Sequence, residues 1–129
     1  MEEKRFMAGN LVFAVRELHT RLGDGVSVDI LAKFTEQEAS LLRLDWFPDC
    51  PHYHYNPRME NTREIPLDPA LLGDPMDWFL ERIPDRLPSM IESAGHPDVA
   101  SAIDRGEISR VMPDVKRMAK SLAESVVSA

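Results

Sequence analysis

Val26-Ser27-Val28-Asp29-Ile30-Leu31-Ala32-Lys33-Phe34 is the stretch that decides the fold. Val26, Val28, Ile30, Ala32 and Phe34 fall on one side, and Ser27, Asp29, Leu31 and Lys33 on the other, the two-residue period of a half-buried strand. Upstream, Leu11 to Leu18 (Leu-Val-Phe-Ala-Val-Arg-Glu-Leu) is rich in strand formers. Between the two lies Gly23-Asp24-Gly25, whose glycines supply the positive φ values of a hairpin turn. Downstream, Thr35-Glu36-Gln37-Glu38 reads as a polar turn into a third strand. There Leu42, Leu44 and Trp46 face one way and Leu41, Arg43, Asp45 and Phe47 the other. Connections this short imply antiparallel neighbours, because a parallel pair needs a crossover of a dozen or more residues. Pro48 and Pro51 interrupt the ladder. Extended chain resumes at His52–Tyr55, and a fourth short strand is predicted from Arg63 to Leu67.

From Asp74 onward the punctuation is helical. Asp74-Pro75-Met76-Asp77 places an acceptor at the N-cap, proline at the first helical position and a carboxylate in the first turn. Pro84 and Pro88 sit where each starts or kinks a turn, since neither fits comfortably inside a helix. Gly95 is predicted to end that segment, His96-Pro97 to open the next and Gly106 to close it. A last helix is predicted over about 108–126 from the spacing of Val111, Val115, Met118 and Leu122. Strands first and helices second, without alternation, is the α+β pattern. The expectation is one domain over 1–129, strand-rich over 1–70 and helical over 74–129. In it an antiparallel sheet of 3–5 strands lies on several short helices through Trp78, Phe79, Leu80, Leu87, Met90 and Ile91.

The totals restrict function. A chain of 129 residues with 43% hydrophobic and 29% charged side chains is a globular domain of ordinary size. A single cysteine, Cys50, excludes a disulfide framework and a multi-cysteine zinc site, and suits a reducing compartment. Neither a secretory signal nor a membrane-spanning apolar run is visible, so a cytoplasmic location is expected and no membrane association. Fifteen basic residues scattered among twenty-two acidic ones give a net charge of −7 with no basic stripe. Nucleic acid is therefore not an expected partner, because binding to it rests on clustered Lys and Arg.

Reactive side chains gather in Asp45-Trp46-Phe47-Pro48-Asp49-Cys50-Pro51-His52-Tyr53-His54-Tyr55-Asn56-Pro57. In extended chain His52 and His54 share a face with Cα atoms ~7 Å apart, close enough for both imidazoles to reach one metal. A carboxylate from Asp45, Asp49 or Glu64 would complete a set of two histidines and one acid, suited to zinc, iron or manganese. A cupin-type site would need a glutamate four or five residues after the second histidine and then a glycine. Here the first acid after His54 is Glu60, six residues on, and no glycine follows before Gly73. The alternative is a sheet edge whose histidines face one way and tyrosines the other. His52 or His54 also titrates in the range of a general acid or base. Elsewhere, His19 reads as a solvated histidine, His96 as part of a helix start, and Trp46, Trp78 and Phe79 as core aromatics. Arg58, Arg63, Arg82 and Arg86 would clamp an anion if they converged, a solvated surface being the default.

Pro51-His52-Tyr53-His54-Tyr55, with Asp74-Pro75-Met76-Asp77-Trp78 and Arg86-Leu87-Pro88-Ser89-Met90-Ile91-Glu92-Ser93-Ala94-Gly95, resembles a family of small uncharacterised bacterial proteins over roughly residues 40–95. The resemblance implies a bacterial source and no activity. A thinner likeness, through Arg43-Leu44-Asp45 and Pro51-His52-Tyr53-His54, is to histidine-rich small toxins of bacterial toxin–antitoxin pairs. The helical C-terminal half and the acidic charge depart from that pattern.

Two functions are compatible with the patch. One is a module that binds a protein partner or a second copy through segment 46–57, with Trp46, His52, Tyr53, His54 and Tyr55 as the contact surface, because Tyr and Trp combine an apolar body with a polar handle. The other is a metal-dependent hydrolase or metal-binding protein with His52 and His54 as ligands, assisted by Asp45 or Asp49.

Overall fold

The computed structural model describes residues 3–34 and 37–128. Six strands run in chain order across one antiparallel sheet: β1 (Lys4–Ala8), β2 (Leu11–Thr20), β3 (Gly23–Phe34), β4 (Gln37–Trp46), β5 (His52–Tyr55) and β6 (Arg63–Pro66). Four helices follow: α1 (Pro69–Leu72), α2 (Pro75–Ser93), α3 (Pro97–Ser101) and α4 (Arg105–Ser128). The fold is α+β, as the ordering of periodicities predicts. Among the described residues no helix is long and apolar enough to cross a membrane.

The alternation in β3 holds. Val26, Val28, Ile30 and Ala32 are buried in the core beside Leu11, Phe13 and Val15 of β2 and Leu42 and Leu44 of β4. α4 lies over β1, β2 and β3, and α2 over β4. α2 contributes Met76, Phe79, Leu80, Ile83, Leu87 and Ile91, and α4 contributes Ile108, Val111, Met112, Val115 and Ala119. Each large side chain withdrawn from water here stabilises by roughly 1.5–3 kcal/mol.

The sheet has six strands where three to five are expected. β1 escapes the sequence reading because Lys4, Arg5 and Met7 are exposed and only Ala8 is buried, as on an edge strand. The β2–β3 turn sits at Arg21–Leu22, and Gly23-Asp24-Gly25 belongs to β3, paired with Leu18, His19 and Thr20. Thr35 and Glu36 of the expected polar turn lie outside the described residues, while Gln37 and Glu38 belong to β4. Ile30 pairs with Leu42 but Leu31 with Ser40, so Leu41 is the extra residue of a β-bulge. The bulge turns Leu41 into the core beside Leu42 instead of onto the Arg43–Asp45 face.

Asp74 caps α2 as expected, its Oδ1 accepting from the Asp77 N–H at 3.0 Å. Gly95, at φ 97°, ends the helix with the His96 N–H donating to the Ile91 carbonyl at 3.1 Å. The prolines do not divide this segment. Pro84 and Pro88 lie inside the 19-residue α2, whose apolar stripe against the sheet outweighs two missing N–H donors. Gly106 does not close α3 but falls in the first turn of the 24-residue α4, where Asp104 Oδ1 accepts from the Glu107 N–H at 3.1 Å.

Candidate metal centre on the face opposite the helices

β5 pairs antiparallel with β4, setting Asp45 opposite His52 and Arg43 opposite His54. β6 follows with Glu64 opposite His54. Alternation sends all five side chains to the face away from α2 and α4. Pro51 and the turn Phe47–Cys50 bring β5 back alongside β4 at that register, the Cys50 N–H donating to the Phe47 carbonyl at 3.2 Å.

Asp45 is the hub, buried to 6% exposure. Its Oδ2 lies 3.1 Å from His54 Nε2 and 3.6 Å from His52 Nε2. Arg43 holds the carboxylate in a fork, Nε donating to Oδ1 at 2.8 Å and Nη2 to Oδ2 at 3.1 Å. Such a bidentate pair fixes the carboxylate plane. One ligand atom from each of Asp45, His52 and His54 lies within 4.8 Å of the other two, the spacing of a metal-ligating cluster. The edge of a tetrahedron with ~2.0–2.1 Å metal bonds is roughly 3.4 Å, which the 3.1 and 3.6 Å separations bracket. Glu64 Oε1 stands 3.8 Å from both imidazole Nε2 atoms on a largely exposed side chain.

The second nitrogen of His52 sets its tautomer. Nδ1–H donates to the Cys50 carbonyl at 2.8 Å, leaving Nε2 to face the carboxylates of Asp45 and Glu64, and any unprotonated ring turns its lone pair toward them. Two electron-rich atoms facing each other across a buried gap repel unless a cation stands between them, either a proton or a metal ion. Phe47 stacks on His52 with centroids 6.0 Å apart, and the two imidazoles meet edge to face at 5.0 Å. Burial holds His54 below the ordinary imidazole value, Arg43 and His52 adding to the depression while Asp45 opposes it. A neutral imidazole is the form that binds metal.

The cluster forms one wall of a cavity of about 490 Å³ that also takes in Arg16, Leu18, Arg21, Leu22 and Phe47. Beside it the hydroxyl of Ser27, opposite Asp45 in register and 1% exposed, has no hydrogen-bond partner among the described residues.

The structure brings together His52, His54, Asp45 and Glu64 of the sequence-derived candidates. Asp49 is exposed in the turn after Phe47, apart from the cluster. Segment 46–57 is not one surface: Tyr53 and Tyr55 lie on the opposite face of β5 from the histidines and join the core side with Trp46. His19 is exposed and bonded to Asp24 at 2.8 Å. His96 precedes α3 as expected, with Nε2–H donating to Asn56 Oδ1 at 2.8 Å. Sequence reading missed the Arg43 fork and the Arg16–Arg21 wall. The available signal was that Arg43 and Asp45 are two apart in a strand and so share a face.

No curated protein matches the chain, and no solved structure does. A family model described as a domain of unknown function (DUF7700) matches residues 5–119, more of the chain than the 40–95 stretch read above, and the chain belongs to the DUF7700 family.

Proposed function

We propose that the chain is a metal-dependent hydrolase in which Asp45, His52 and His54 hold one divalent ion, zinc, iron or manganese. The observation that carries this reading is the convergence of His52 Nε2 and His54 Nε2 on one Asp45 oxygen, with the His52 ring held by the Cys50 carbonyl. Three protein ligands leave a coordination position for water, whose pKa an ion such as zinc lowers to about 7. Glu64, 3.8 Å from both imidazoles on a largely exposed side chain, would serve as the general base for a water held there. Arg43 and the Cys50 carbonyl keep two ligands in the ligating orientation. Arg16 and Arg21 across the cavity suit an anionic ester. A contact module built on segment 46–57 has less support, because Trp46, Tyr53 and Tyr55 lie on the core side of the sheet and His52 and His54 on the opposite face.

Elemental analysis of protein purified without chelators, beside a His52→Ala/His54→Ala variant checked for fold by circular dichroism, tests the metal. Near-stoichiometric metal in the parent and none in the folded variant is expected. No uptake by the parent on titration at neutral pH overturns the reading. Glu64→Gln should retain the metal while losing about a hundredfold in the rate on a panel of activated esters. Loss of metal in that variant would make Glu64 a ligand instead of a base.

A further inference from the structure

A second concavity lies on the other side of the sheet, where α2 covers β4 and leaves the β5–β6 end open. It measures about 430 Å³. Its floor is aromatic. Tyr53 packs against Phe79 with centroids 5.1 Å apart and meets Tyr55 edge to face at 5.5 Å. One wall is a stripe of α2 at helical spacing: Trp78, Arg82, Arg86, Ser89 and Ser93. Beside it the Arg63 guanidinium of β6 lies 4.1 Å over the Tyr55 ring and reaches the Ser93 carbonyl at 3.4 Å.

Charge sets this cleft apart. The chain carries a net charge of −7, yet no Asp or Glu among the described residues lines the cavity, while Arg82 and Arg86 both do. Arg82 lies over Trp78 at 5.3 Å, and its nearest carboxylate is the exposed Glu81 at 3.9 Å. Arg86 has no carboxylate partner among the described residues. These are two of the four arginines whose convergence would clamp an anion; Arg63 stacks on Tyr55 at the rim, and Arg58 does not join them. Two guanidinium groups beside a cluster of aromatic rings make a few placed polar groups on an apolar, concave floor, the usual form of a small-molecule site.

We infer that the cleft between α2 and the β5–β6 end binds a small planar aromatic acid, its ring against Tyr53, Trp78 and Phe79 and its carboxylate or sulfonate between Arg82 and Arg86. This does not depend on the metal reading, since the cleft and the Asp45 cluster lie on opposite faces of the sheet. A flat ring gains from offset stacking on the floor. The anion gains from charge-assisted hydrogen bonds to planar donors, which an uncharged ligand of equal shape lacks.

Calorimetric titration with naphthoate, and with naphthylmethanol as its uncharged counterpart, tests the inference. Naphthoate should bind one to one, at least about tenfold more tightly than the alcohol. Arg82→Gln/Arg86→Gln, two exposed positions, should abolish that advantage and leave the alcohol's affinity unchanged. The His52→Ala/His54→Ala variant should bind naphthoate as the parent does. Absence of saturable binding, equal affinity for acid and alcohol, or undiminished binding by the double glutamine variant each overturns the inference. So does loss of binding in the histidine variant, which would put the acid in the other cavity. A parent dimer in sedimentation that the glutamine variant dissociates would make the cleft a protein contact and overturn it as well.

Discussion

A Cβ built on Gly25 would stand 2.3 Å from the Trp46 carbonyl oxygen and 2.7 Å from the Phe47 ring. The glycine in β3 therefore serves close approach, letting the end of β4 fold back so that Phe47 reaches His52. Gly25→Ala should destabilise by about 3 kcal/mol, at the upper end for overpacking because the obstacle is backbone. Chemical denaturation reads that loss, and a change within 0.5 kcal/mol of the parent would contradict the assigned contact. Asp29, on the same strand, is a different case. Burial raises its carboxyl above the ordinary range, against the Ser40 hydroxyl bond and the nearby Arg43 and Arg58. A folded value above the unfolded 3.8 means the folded state binds the proton more readily. Stability from this group is thus fully present below that pH and is lost as pH rises through the folded value. Asp29→Asn keeps an acceptor for Ser40 without the buried charge. It should melt higher than the parent at neutral pH, the difference shrinking on acidification, and an equal gap at every pH would refute the assignment.

Among the elements, α2 shows which signals survive folding and which are overruled. Its start and stop were legible because Asp74 and Gly95 act locally, through one side-chain acceptor and one positive φ. Its continuity was not legible, because Pro84 and Pro88 are read locally while the apolar stripe from Met76 to Ile91 is rewarded only against a sheet distant in sequence. The cap also ties α2 to α4. Lys120 bonds Asp74 at 3.2 Å and Asp77 at 2.9 Å. Burial works to raise the Asp74 carboxyl, but the Asp77 and Met76 N–H groups and Lys120 outweigh it and hold it below 3.8. A depressed carboxylate contributes stability above its unfolded value and loses it as pH falls through the folded one. Asp74→Ala should therefore cost about 1 kcal/mol at neutral pH. In denaturant titrations the deficit should shrink as pH falls from 3.8 through the folded value, and a deficit that did not shrink on acidification would assign the cost to packing.

At the scale of the molecule, one sheet separates the two sites, and each depends on pairing that periodicity alone does not set. Alternation put His52 and His54 on one face. The choice among Asp45, Asp49 and Glu64 depended on register between β4, β5 and β6, fixed by a turn holding Pro48 and Pro51 that has no periodicity to read. That register would make metal binding a matter of global stability, because Asp45 lies on β4 while His52 and His54 lie on β5. An ion that binds the folded chain alone, at a hundred times its dissociation constant, stabilises by about 2.7 kcal/mol. For a domain of this size that is a rise in melting temperature on the order of 10 °C. Asp45→Ala would confound the measurement by stripping Arg43 of its partner, so the comparison is between Asp45→Asn and Asp49→Ala. Zinc should raise the melting temperature of the parent and of Asp49→Ala equally and leave Asp45→Asn where it was. Were Asp49→Ala the variant that lost the shift, the ion would be held by the turn and not by the β4–β5 register, and the centre described here would be the wrong one.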